Sequence, residues 1–149
     1  MSAPAFSRII TLCTGNICRS PMAEALLRHE LAPLGVDVSS AGTGALVDNS
    51  ADPIAVELMA ERGMDLSNHR ARQAQGKLLT RADLVLVASG HHLRWVLDHY
   101  PALRGRTFRL TRWNGDTDIA DPYQQPREAF ETALAAIEAG IAAWLPRLG

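Results

Sequence analysis

The turn between Cys13 and Ser20 is the feature that most constrains this chain. Before it, Arg8-Ile9-Ile10-Thr11-Leu12-Cys13 is a short β-branched and apolar run, the pattern of a buried strand. After it, Ser20-Pro21 has the form of a helix start, with serine at the N-cap and proline at the first helical position. Met22, Leu26, Leu27 and Leu31 then fall on one helical face, and Pro33 and Gly35 end the helix. A strand is thus joined to a helix through Thr14-Gly15-Asn16-Ile17-Cys18-Arg19, and this unit sets the pattern for the rest of the chain.

The alternation repeats toward the C-terminus. Val36 to Ala41 reads as a second strand, and the glycines at 42 and 44 take the chain into a loop. Asp52-Pro53 repeats the cap-then-proline signal, and Ile54, Leu58 and Met59 carry a helical stripe to Gly63. The segment 65–82 is polar, with a short helix expected near Leu78. Leu84-Val85-Leu86-Val87-Ala88 is apolar without alternation, as in a central parallel strand covered on both faces. Ser89 is placed to cap a helix from His91 to Tyr100, which Pro101 stops. Arg106 to Leu110 reads as an edge strand, and Thr111 to Gln125 as a long polar loop. Phe130, Leu134, Ile137, Ile141, Leu145 and Leu148 form the stripe of a long amphipathic helix.

Strands separated by helices in this order predict an α/β fold: a single domain over 1–149, with a four-stranded parallel sheet flanked by helices on both faces. Ligands of such sheets sit outside the carboxyl ends of the strands. The carboxyl end of the first strand is the Cys13 turn.

Composition narrows the classes of partner. Of 149 residues, 47% are hydrophobic and 21% charged, which excludes a disordered chain and a membrane-embedded one. The formal net charge of -1 gives no general attraction for nucleic acid or an anionic membrane, so affinity for an anion must be local. No apolar run approaches the roughly 20 residues of a membrane span, and Met1 to Arg8 lacks a basic region followed by an apolar core; a cytoplasmic location is expected. Cys13 and Cys18 make no disulfide framework and supply half of a four-ligand zinc site at best. No metal or cofactor is expected, and the cysteines read as free, functional thiols.

The turn has the chemistry of a phosphate site. A loop that turns its backbone N–H groups inward and runs into a helix N-terminus supplies donors and a positive field together. Gly15 permits the dihedrals such a nest requires, and Asn16 tolerates left-handed geometry better than most residues. Arg19 adds a planar fork able to grip two phosphate oxygens. The same surroundings should favour the thiolate of Cys13, since an unperturbed cysteine with a pKa near ~8.5 is mostly protonated at neutral pH. A thiolate attacking a phosphate ester also needs an acid for the departing oxygen. Asp121, in the long loop after the fourth strand, is on the side of the sheet where Cys13 is expected, and the following Pro122-Tyr123 stiffens the loop and offers an aromatic face. Asp116 and Asp118 read as solvated loop charges.

Cys13-Thr14-Gly15-Asn16-Ile17-Cys18-Arg19-Ser20-Pro21 together with Asp121-Pro122-Tyr123 resembles the low-molecular-weight protein tyrosine phosphatases, and the resemblance spans nearly the whole chain. It implies that Cys13 forms a phosphocysteine, that residues 14 to 19 bind the phosphate, and that Ser20 hydrogen-bonds the Cys13 thiolate. Asp121 would act as general acid and then as base for the hydrolytic water. His69-Arg70-Ala71-Arg72-Gln73 is similar to the family segment whose histidine supports the loop asparagine, which gives His69 and Ser40 the role of holding Asn16. Cys18 would form a reversible disulfide with Cys13 under oxidation. The runs 40–47 and 119–130 resemble the bacterial branch tied to capsule and exopolysaccharide export, whose members dephosphorylate the tyrosine-rich tail of a membrane kinase. The implied substrate is thus a phosphotyrosine protein. Leu46 and Tyr123 would wall the substrate, although eukaryotic relatives carry an aromatic residue near Leu46 and a second tyrosine where Gln124 stands here.

Three other readings share this loop. An arsenate reductase of the same fold needs further cysteines as a relay, and only Cys13 and Cys18 are present. The protein-arginine phosphatases resemble the loop but carry threonine at the position of Ile17, whose bulk fits the tyrosine-directed branch. A non-catalytic phosphotyrosine-binding module has no use for Cys13, Arg19 and Asp121 together. No function is expected of His29, His91, His92 or His99.

Overall fold

Four strands run parallel in the order β2-β1-β3-β4, where β1 is Arg8–Cys13, β2 Asp37–Gly42, β3 Leu84–Val87 and β4 Thr107–Arg109. The computed structural model describes residues 6–148; Met1 to Ala5, part of the N-terminus in which no leader is expected, and Gly149 lie outside them. Between the strands run the helices α1 (Arg19–Leu31), α2 (Pro53–Glu61), α3 (Gly76–Thr80) and α4 (Gly90–His99), and α5 (Arg127–Trp144) closes the chain. The expected α/β architecture, parallel sheet and helix order are all present.

Alternation along the central strands builds two cores. Ile9, Leu84 and Leu86 face one side, where they join Met22 and Leu27 of α1, Leu58 of α2 and Phe130, Leu134 and Ile137 of α5. Ile10, Leu12, Val85 and Val87 face the other, against Leu79 of α3 and Val96 of α4. Both faces of β3 are therefore covered, and this is why its sequence is apolar throughout. The stripe of α5 continues through Trp144, three residues after Ile141, rather than through Leu145, which lies past the helix end and is only partly buried; the Trp144 indole N–H donates to the carbonyl of Leu110 at 3.0 Å.

The helix starts differ in one place from expectation. Asp52 caps α2, accepting from the Ile54 N–H at 2.9 Å, as the cap-then-proline pattern predicts. Ser20, however, is not the cap of α1. That helix begins at Arg19, its N-cap is Cys18, and no side chain caps it. The Ser20 hydroxyl points instead at Cys13 and Asn16, which places this serine in the loop's own hydrogen-bond system.

In the sheet, Cys13 lies opposite Gly42 and Leu12 opposite Val87. The carboxyl ends of β1, β2 and β3 thus finish level, and the turns that leave them share one edge. Among the described residues no helix is long and apolar enough to cross a membrane.

Candidate active site

The backbone of the β1–α1 turn faces outward with its carbonyls. Those of Cys13, Thr14 and Gly15 accept from the N–H groups of Thr43, Gly44 and Leu46, each at 3.0 Å. That of Asn16 accepts from His69 Nε2 at 2.7 Å, and those of Ile17 and Cys18 from the N–H groups of Asp52 at 2.8 Å and Met22 at 3.3 Å. In a trans peptide a carbonyl and the next N–H point in opposite directions. Six outward carbonyls at 13 to 18 therefore turn the six amides of 14 to 19 inward, and none of these has an acceptor among the described residues. Such a run of unpaired donors at the mouth of α1 suits an anion with several oxygens.

Two residues hold the turn in this shape. Gly42 packs so closely that a Cβ there would lie 2.2 Å from the Thr14 carbonyl oxygen and 3.1 Å from the Asn16 nitrogen. Asn16 is fully buried with φ 61°, a left-handed conformation that asparagine tolerates. Its amide nitrogen donates to Ser20 Oγ at 2.8 Å and Ser40 Oγ at 2.9 Å, and its Oδ1 accepts from the Arg72 N–H at 3.0 Å. Ser40 donates in turn to the Glu24 carboxylate, which pairs with Arg28. The structure thus brings His69 and Ser40 to Asn16.

Above the turn lies a cavity of about 140 Å³, lined by Cys13, Thr14, Ile17, Arg19, Leu46, Asp121 and Tyr123 among others. Cys13 is only 2% exposed. Ser20 Oγ accepts from the Asn16 amide and lies 2.9 Å from the Cys13 sulfur against 3.5 Å from the Ala41 carbonyl, so the sulfur is the nearer acceptor for its proton. Arg19, 4% exposed, donates from Nη1 to the Ile119 carbonyl at 2.7 Å, while Nη2 lies 3.6 Å from Asp121 Oδ2. Its buried Nε has no partner among the described residues, a further donor for an anion. The Asp121 side chain is half exposed, and its Oδ1 accepts from the Tyr123 N–H at 3.1 Å. Leu46 and Tyr123 stand as exposed apolar rims. Cys18 is buried and unpaired; burial above all, then the charges of Asp52 and Cys13, pushes its thiol far above the ordinary range.

Sequence reasoning missed one residue here. His92, read as an ordinary helix residue, is fully buried and lies 2.9 Å from Thr14 Oγ1 through Nε2. Burial first, then the charges of His91 and Arg19, lowers its pKa from 6.5 to about 3. Asp118 is exposed, as expected of a solvated charge, and it also accepts from the Gly90 N–H at 2.8 Å and from Arg109 Nε at 2.9 Å, so it ties the long loop to the start of α4 and to β4. Those hydrogen bonds hold its carboxyl below the usual carboxylate range. Asp116 pairs with Arg109 and Arg112 rather than with solvent alone. Among the described residues no group of three or more His, Cys, Asp or Glu is placed to hold a metal ion.

A parallel α/β sheet whose first strand runs into a row of inward amides around a buried cysteine defines a class, the α/β proteins with a cradle suited to an oxyanion beside a cysteine. The chain matches the low molecular weight phosphotyrosine protein phosphatase family over residues 8–149 and belongs to it. EpsP of Ralstonia nicotianae, described as a probable low molecular weight protein-tyrosine-phosphatase, is 51% identical over 140 residues, 94% of each chain. Wzb of Vibrio vulnificus, solved in complex with benzylphosphonate, has a TM-score of 0.91 at 36% identity, covering 97% of this chain and 100% of Wzb. The YwlE arginine phosphatase of Geobacillus stearothermophilus has a TM-score of 0.84 at 36% identity, covering 91% of this chain and 88% of YwlE.

Proposed function

We propose that this phosphatase hydrolyses phosphotyrosine in two steps through Cys13. The observation that carries the reading is the row of six inward amides beside a buried cysteine. With the guanidinium of Arg19, they hold the three non-bridging oxygens, whose charge is best stabilised by donors already in place. Cys13 Sγ attacks phosphorus with Ser20 Oγ donating to the sulfur, and the bond to the tyrosine oxygen breaks as Asp121 gives that oxygen a proton. The Asp121 carboxylate then takes a proton from water, whose oxygen displaces Cys13 and releases inorganic phosphate. Asn16, held by Ser40 and His69, keeps the cradle in its left-handed turn.

Leu46, Ile17 and Tyr123 give the mouth an apolar lining suited to an aromatic ring, and the phosphonate bound by the Vibrio Wzb also carries an aryl group. The resemblance of 40–47 and 119–130 to the capsule and exopolysaccharide branch, with the similarity to EpsP and Wzb, supports the tyrosine-rich tail of an autophosphorylated membrane kinase as substrate. The test is turnover of phosphotyrosine, phosphoarginine and phosphoserine peptides by the parent and by Cys13→Ser. Preference for phosphotyrosine, abolished in the variant, is expected. Preference for phosphoarginine would move the chain beside YwlE, and full turnover by Cys13→Ser would remove it as nucleophile.

A further inference from the structure

We infer that His92 is a positioning residue for phosphate binding, closing the loop from behind by joining its two ends. This rests on the proposed phosphatase reading. His92 is fully buried, and both ring nitrogens are engaged. The Ser89 N–H lies 3.1 Å from Nδ1 and can only donate, so Nδ1 is the unprotonated nitrogen and Nε2 carries the hydrogen. Nε2–H therefore donates to Thr14 Oγ1 at 2.9 Å. Ser89 Oγ lies 3.1 Å from the same Nδ1 and accepts from Arg19 Nη1 at 3.4 Å. Donation thus runs in one direction, from Arg19 to Ser89, to His92, to Thr14, and successive bonds of one sense strengthen each other.

The two residues so joined are the first and last of the run that supplies the six inward amides. Thr14 is held twice, by His92 at its hydroxyl and by the Gly44 N–H at its carbonyl, and the second bond fixes the peptide plane that aims the Gly15 N–H inward. Without the His92 bond, Thr14 is held by its carbonyl alone. The first amides of the cradle then lose part of their alignment, and both bound phosphate and the transition state lose stabilisation.

Two substitutions separate this role from helix capping. In His92→Asn the amide oxygen can still accept from Ser89, but no donor reaches Thr14; in His92→Gln the longer amide reaches Thr14. One hydrogen bond of this kind corresponds to a change of roughly 3- to 10-fold. His92→Asn is expected to raise the inhibition constant of inorganic phosphate and to lower kcat on a phosphotyrosine peptide by about that factor, and His92→Gln to restore both to within about twofold. Thr14→Val, which removes the acceptor, should add no further loss when combined with His92→Asn. If His92→Asn matches the parent, if His92→Gln is no better than His92→Asn, or if the two losses multiply in the double variant, the inference fails. A parent that inorganic phosphate does not inhibit would overturn the phosphatase reading itself, and the inference with it.

Discussion

Two buried cysteines five positions apart have different surroundings, and the difference assigns their chemistry. Ser20 directs its hydroxyl at Cys13, whereas Cys18 is kept as a thiol by burial and by the negative charges of Asp52 and Cys13. Cys18 is therefore no rival nucleophile. Its expected use is as a resolving thiol: once peroxide has converted Cys13 to a sulfenic acid, the Cys13 charge that opposes Cys18 ionisation is gone, and the Cys18 sulfur forms a disulfide with Cys13 as its proton leaves with the sulfenic hydroxyl as water, a bond that a thiol reductant reverses. Cys18→Ser should keep turnover but recover less activity than the parent after peroxide and then dithiothreitol. Equal recovery in the two proteins would sink the idea. Asp121 is the other residue whose role can be isolated. Its carboxylate stands half exposed at the mouth with one oxygen facing Arg19, where a departing oxygen can be met from solvent's side. Asp121→Asn should lower kcat by about 10²- to 10⁴-fold for alkyl-like leaving groups, and much less for nitrophenolate, which leaves without a proton. A uniform loss across a leaving-group series would remove Asp121 as general acid.

The elements position these residues through their ends, and here the sequence is an uneven guide. The strands and helices were legible because periodicity and caps are local: the apolar run of β3, the Asp52-Pro53 start of α2 and the stripe of α5 each report their own environment. The loop was legible from its context, a strand before it, glycine within it and a Ser-Pro helix signal after it, together with the family resemblance, because its residue spacing alone is common. The bonds that tie one turn to another are not local. His92 meets Thr14 across 78 positions and Asp118 meets Gly90 across 28, and no short window contains both partners. His92 did leave one trace, since it stands three residues after Ser89, the spacing of a capping pair. Ser20 misled for the opposite reason: serine before proline is a strong cap signal, yet here the hydroxyl is taken by Asn16 and Cys13. Gly42 shows how tightly the elements are joined, because the β2 backbone passes where a single Cβ would strike the Thr14 carbonyl. Gly42→Ala must push β2 and the loop apart, with a destabilisation of ~1–3 kcal/mol. Phosphate affinity should fall with it. A folded, stable Gly42→Ala protein with parental phosphate inhibition would show that the close approach is dispensable.

At the scale of the whole molecule, the two cores hold the sheet from both sides, while the ionisable groups that matter gather along the carboxyl edge of the strands. Among them, His92 couples folding to mildly acidic pH. Its pKa is about 3 in the folded chain against 6.5 for the free side chain, so between these values the unfolded chain binds a proton that the folded chain does not. Stability is then full above about pH 6.5 and falls as pH drops, by at most ~1.4 kcal/mol per pH unit from this group. Burial keeps it neutral first; among the charges around it, His91 on α4 and Arg19 on α1 also disfavour the proton, and Asp118 on the long loop opposes them weakly. Asp118 and Asp65 are themselves held below the ordinary 3.8, so the stability they contribute is lost only in stronger acid. Urea unfolding at pH 7.5, 5.5 and 4.5 should therefore show a loss of up to ~2.7 kcal/mol in the parent over the two units below 6.5. The loss should be much smaller in His92→Gln, which keeps the bond to Thr14 without a titrating ring. An equal loss in both proteins would place the acid sensitivity elsewhere along the strand ends.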